Sequence, residues 1–192
     1  MFNEKAQSAD GAIASFIANT GMQQTTRAGG VFHVQCLDKD GNLKWETKEH
    51  NLVVNQGLQS MNAQYFKGSG YTAAWYLGLV TGPASGTSFA AADTLASHAG
   101  WTEYTDYSGN RKAVTFGTAT TADPSVIDNT ASAASFTISG SGGVIAGAFL
   151  CSVATGTSGV LFSASDFQSP GDRTVVSGDT LNVTYTFSLD AA

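Results

Sequence analysis

Charge is what this sequence has least of. Asp, Glu, Lys and Arg make up 12% of its 192 residues, about half the ~25% usual in soluble proteins. Its nine Lys and Arg form no basic run and the formal net charge is −6, so a nucleic-acid partner is not expected. No apolar run approaches the ~18 residues of a membrane span, and no membrane partner is expected either. Ala12 to Ala18 is mildly apolar, but Glu4 and Asp10 accompany a single Lys5 and the run is short and poor in leucine. It does not read as a signal peptide. Cysteine is scarce too. Cys36 and Cys151 lie far apart, each inside an apolar strand pattern, and neither has the CxxC neighbour of a metal or redox site. They read as small buried hydrophobes, the alternative being one disulfide that pins two strands.

The motifs of chemistry are missing as well. There is no GxSxG elbow, no GxxxxGKS/T loop, no GxGxxG and no HExxH. His33, His50 and His98 are scattered. Asp38, Asp40 and Asn42 alternate like calcium ligands, with Glu49 twelfth, but Leu43 stands where that loop needs glycine. The segment reads as a turn. No catalytic, cofactor-binding or metal-binding residues are assigned, and a non-enzymatic protein is expected.

What fills the chain instead is Ala, Gly, Ser and Thr around short apolar alternations. At this length roughly 70% of the unfolded surface can be buried, enough for one core without staples. Ala74 to Phe116 organises the rest. Trp75, Leu77 and Leu79 share one side of an extended segment and Tyr76, Gly78 and Val80 the other, which predicts a central strand. Gly100–Tyr104 then returns the chain, and Arg111–Phe116 is the next strand. Val31–Leu37 and Leu43–Glu49 flank a turn and predict a hairpin. Asn51–Val54 is a short strand. Asn55 can cap a helix of about three turns carrying Leu58, Met61, Ala63, Tyr65 and Phe66, whose apolar side is expected to pack on the sheet. Val144–Cys151 is apolar on both faces, as in an interior strand. Leu181, Val183, Tyr185, Phe187 and Leu189 alternate strictly with polar residues. With about eight to ten strands and one helix, the expected body, 29–192, is an all-β antiparallel sandwich of jelly-roll type.

Residues 1–28 differ. They are polar and lack strand alternation, and Asp10 can cap a short helix whose stripe is Ile13, Phe16 and Ile17. An isolated helix this short is marginal in water. The segment reads as an N-terminal arm whose stripe lies against this body or a neighbouring subunit. Two long polar connections, Thr81–Gly100 and Thr118–Ala134, are expected to emerge from the body. The candidate contact residues are Ile13, Phe16 and Ile17 in the arm, Phe89 and His98 in the first connection, and Trp101, Tyr104 and Tyr107 after it. His98 reads as a loop histidine bonded to a carboxylate. Trp101, Tyr104 and Tyr107 could stack on sugar rings, although aromatics spaced in this way more often cover a core. Glu103, Asp106, Arg111 and Lys112 read as charges that pair across a hairpin at the surface.

The phrases FHVQCLDKDGNLKWETKEHNLVVNQGL, WYLGLV, WTEYTDYSGNRKAVTF, GAFLCS and SGDTLNVTYTF together resemble a group of small virion proteins of tailed bacteriophages, over residues 31 to 189. They are structural phrases of turns, strand cores and aromatic packing. The resemblance implies a head decoration, or cement, protein that binds the major capsid protein on the virion surface, forms dimers or trimers with its own copies, and is made in the host bacterial cytoplasm. It implies no catalytic residues. The arm and the Thr81–Gly100 loop are then the expected contacts. The alternative is a tail or fibre component that binds host-surface glycan through Trp101, Tyr104 and Tyr107.

Overall fold

The computed structural model describes residues 26–68, 70, 74–82, 88–168 and 171–191. Ile13, Phe16 and Ile17, and with them the predicted arm helix, lie outside the described residues. The rest forms two antiparallel sheets facing each other across one core, an all-β sandwich with a single α-helix among the described residues.

The first sheet is built on β1 (Thr26–Leu37) and β12 (Thr180–Ala191), paired over their whole lengths from Thr26 opposite Ala191 to Leu37 opposite Thr180. β1 begins inside the segment read as the arm, since Thr26, Arg27 and Ala28 already belong to the ladder. β2 (Leu43–His50) adds to the other edge of β1 as the expected hairpin. In its turn the Asp38 carboxylate accepts the N–H groups of Asp40 and Asn42. These hydrogen bonds, Asn42's first, hold its pKa below the usual range. On the outer edge of β12 lie β7 (Ser125–Asp128) and β8 (Ala134–Thr137), end to end along one strand line. The Thr118–Ala134 connection therefore does not emerge as expected. Its second half returns to the sheet.

The second sheet runs β3 (Leu52–Val53), β10 (Leu161–Asp166), β9 (Gly143–Cys151), β4 (Trp75–Thr81) and β5 (Glu103–Tyr104). β11 (Arg173–Val175) continues the line of β10 along β9, and β6 (Lys112–Val114) continues that of β5 along β4. Two hairpins, β1–β2 and β9–β10, stay within one sheet.

Between the sheets lie Phe32, Val34, Cys36, Leu181, Val183 and Tyr185 from one side and Leu77, Leu79, Ala148 and Leu150 from the other. The period-two alternation of the sequence is what delivers them to one face. β9 is buried on both faces from Ile145 to Cys151, as its unbroken apolar run predicts. The β4–β9 register shifts between Val80 and Thr81, which leaves β9 one residue longer there. Ile145 and Ala148 consequently share the inter-sheet core while Ala146 and Phe149 face out. Cys36 and Cys151 sit on opposite sides of the second sheet and are free. Burial and the neighbouring Asp179 carboxylate push the Cys36 thiol up to about 12. Burial raises Cys151 too. Thiolate is the reactive form, so both thiols are expected to stay inert to a disulfide reagent in the folded protein and to titrate after unfolding. A fast-reacting native thiol would contradict this packing.

The break between β7 and β8 is bridged by one side chain. After Asp128 the chain makes a 3-10 turn, Thr130–Ser132, and leaves two backbone groups of β12 unpaired. Asn129, 1% exposed, supplies both partners. Its Oδ1 accepts the Tyr185 N–H at 2.6 Å and its Nδ2 donates to the Val183 carbonyl at 3.3 Å. Asn129→Ala should therefore lower stability by about 1–3 kcal/mol, the cost of orphaned buried polar groups. Asn129→Asp should not rescue it, because an acceptor would then face the Val183 carbonyl. Urea midpoints of the three proteins decide the matter, and equal midpoints would refute the bridging role.

Candidate interaction surface

The predicted contact residues divide between the two faces of the second sheet. Gly78 of β4 faces outward, and a Cβ there would collide with the Phe149 ring. The missing side chain lets Phe149 lie flat on the sheet, where Trp101 packs on it with centroids 5.1 Å apart. Phe89 meets Trp101 at 5.6 Å, and His98 stacks on the indole at 3.8 Å. The indole N–H donates to the Asp93 carboxylate at 3.0 Å. Thus Phe89, His98 and Trp101 come together, but as a cover. With Leu95 they close a second apolar cluster containing Val54, Val80, Ala146, Phe149, Cys151 and Leu161. The described part of the Thr81–Gly100 connection therefore lies on the sheet, contrary to expectation. Open β-sheet with Phe149 at its centre needs an apolar cover. His98 hydrogen-bonds through Nδ1 with the Trp101 carbonyl oxygen, so the predicted carboxylate partner belongs to Trp101 instead.

Tyr104 and Tyr107 face the other way, into the inter-sheet core. Tyr107 packs edge-on against Phe136 at 4.8 Å and forms a backbone bridge with Ile138 of the other sheet's edge. Burial raises the pKa of both phenols. Trp101, Tyr104 and Tyr107 are 6%, 5% and 6% exposed and lie on two sides of one sheet. They share no stacking face for a sugar ring.

One of the charges near them is inside as well. Arg111 is 8% exposed. Its Nε and Nη2 donate to the two Glu103 carboxylate oxygens at 2.8 and 2.6 Å, while Nη1 donates to the Val153 and Gly156 carbonyls at 3.2 and 2.9 Å. The guanidinium also sits 5.3 Å from the Phe149 centroid. A shallow cleft of about 250 Å³ opens beside it, but every guanidinium nitrogen is already engaged. The pair is thus not the weak surface pair expected. It clamps the β4–β5 edge to the β9–β10 turn.

Elsewhere, His33 pairs with Glu46 at 3.1 Å on the polar face of β1 and β2. Asp166 has its pKa raised by burial first, then by Asp172 and Glu49. No group of three or more His, Cys, Asp or Glu able to hold a metal occurs among the described residues.

The surface that stands out is α1 (Asn55–Phe66). Gly57 is its buried residue, pressed so close to β10 that a Cβ would meet the Phe162 carbonyl oxygen. Gln56 holds the same strand through its Oε1, which accepts the Leu161 N–H at 2.8 Å. Contact through a glycine leaves the larger apolar residues outside. Met61 reaches the core margin, but Leu58, Tyr65 and Phe66 are 41%, 84% and 80% exposed. The helix therefore does not lay its apolar side on the sheet as predicted. The sequence did carry one signal of this. A helix with a solvated face normally displays charge there, and Leu52 through Phe66 contains no charged residue at all.

No family model matches the chain, and neither curated proteins nor solved structures yielded a significant match.

Removing one partner of the Glu103–Arg111 clamp should cost about 3–5 kcal/mol, since the other charge stays buried. Glu103→Ala is expected to show this as a lower denaturant midpoint with an unchanged slope. A loss below about 1 kcal/mol would mean that the pair behaves as an exposed one.

Proposed function

We propose that this chain is a non-enzymatic structural protein of a tailed-bacteriophage particle, a capsid decoration or cement protein that binds the major capsid protein and stabilises the head shell. The reading rests on the resemblance of residues 31–189 to small phage virion proteins. The structural observation that supports it best is the pair Tyr65 and Phe66. Their rings stack edge-on at 4.9 Å, almost wholly in solvent, at the end of an uncharged helix. Exposed aromatics on charge-poor ground are the composition of a protein interface core. The body beneath them is a closed sandwich that can present them without rearranging. Among the described residues no helix is long and apolar enough to cross a membrane. In this reading the protein is made in the host bacterial cytoplasm, joins the capsid surface, and contacts its own copies there as a dimer or trimer. The glycan-binding alternative has lost its support, because its three aromatics are buried.

Cryo-EM of particles with and without the gene tests the proposal directly. Density over the icosahedral head should be lost with the gene, and intact head density would overturn it. Tyr65→Ser combined with Phe66→Ser should weaken rebinding to depleted heads by about tenfold or more, as loss of an aromatic hot spot does.

A further inference from the structure

A groove of about 470 Å³ runs between α1 and the adjoining ends of β1 and β12. Thr26, Ala28, Leu52, Leu58, Met61 and Leu189 are among its lining residues. Three of its apolar walls are incompletely buried, with Leu52 exposed to 37% and Leu58 to 41% and Met61 only partly buried. A stable fold does not gain by leaving such a stretch of apolar surface in water, and contiguous patches of this kind mark a binding place.

Thr26 identifies what lies nearest. It is both the first residue of the β1 ladder and part of the groove wall, so the described chain begins at the rim of this groove. Within residues 1–25, Ile13, Phe16 and Ile17 are spaced to fall on one side of a helical turn. Eight residues, Ala18 to Thr25, separate that stripe from Thr26. Extended, they reach roughly 26–29 Å, ample for the chain to reverse and lie back along α1, and Gly21 stands midway. The two surfaces also match in charge. Gly11 to Thr26 carries no Asp, Glu, Lys, Arg or His, and neither does Leu52 to Phe66, so pairing them strands no charge away from water. A tether this short holds the stripe near the groove at an effective concentration on the millimolar scale, which favours a molecule's own segment over that of a second copy.

We infer that the groove beside α1 is the docking site for Ile13, Phe16 and Ile17 of the same chain. The inference does not depend on the phage reading, since it concerns the free protein. It gives the N-terminal segment a seat formed by the strands that begin and end the sandwich.

The test uses full-length protein with a photoreactive benzophenone side chain in place of Asn62, an exposed residue on the groove wall. Isotopically heavy and light chains are mixed, irradiated and digested. Cross-links should join position 62 to the peptide spanning Ile13–Ile17, within chains of one isotope. Phe16→Asp together with Ile17→Asp should reduce their yield about tenfold, the scale of losing one buried large apolar side chain. Cross-links mainly between heavy and light chains would assign the groove to a second copy and overturn the inference. So would cross-links that avoid this peptide, or a yield that the two substitutions leave unchanged. Neither substituted residue is among the described residues that form the sandwich, and a thermal midpoint that persists in the variant separates lost docking from lost folding.

Discussion

The pairing of β1 with β12 is the constraint on which the rest depends. These strands stand in the middle of one sheet and together contribute Phe32, Val34, Cys36, Leu181, Val183 and Tyr185 to the core. Every other element is strung between them in sequence. Until residues some 150 positions apart meet, the first sheet lacks its central pair and the core has only one wall. Closing so long a loop costs entropy before any contact offsets it, and folds dominated by such pairings form slowly. Tyr185 shows how tightly this centre is specified. Its ring packs on Phe32 at 4.7 Å, its hydroxyl accepts the Asn51 Nδ2–H at 2.8 Å, and its N–H is taken by Asn129.

The second sheet solves a different problem. Its inner face is covered by the first sheet, but its outer face carries Val80, Ala146, Phe149 and Cys151. Protection there comes from chain without regular structure, the segment around Leu95 and Trp101, held by the Asp93–indole hydrogen bond and by the Glu103–Arg111 clamp. An α-helix would be the usual cover, but the one α-helix described here instead touches the sheet at its margin through Gly57. That division explains why aromatic residues expected at a binding lip serve as a lid, while the helix expected to be a lid faces solvent.

The sequence made the long strands legible and left the short ones obscure. β12 and β9 could be read directly, one by strict alternation and the other by an apolar run covered on both faces. β7 and β11 could not. Their residues, Ser125–Asp128 and Arg173–Val175, are too few to show a period, and what places them is the ladder of a neighbour. Asn129 illustrates the same limit, because a polar residue in a loop gives no hint that it substitutes for two peptide groups. The burial of Trp101, Tyr104 and Tyr107 was foreshadowed by their spacing, but that they part to opposite faces depends on a strand of only two residues, β5. For the helix, the stripe Leu58–Met61–Tyr65 was visible. Which way it points was decided by Gly57, a residue that pattern reading treats as a weakness in a helix rather than as its point of contact.

The full-length register of β1 and β12 also gives the molecule two unlike poles. Thr26 faces Ala191 at one, and at the other the turn at Asp38–Asn42 lies beside the turn at Gly178, whose Cβ position is 3.5 Å from Lys39. Twelve residues of strand separate the poles, roughly 40 Å. Whatever is tethered to either end of the sandwich is thus delivered to the same pole, next to α1. The hairpin pole carries neither attachment point, which gives the sandwich a front and a back.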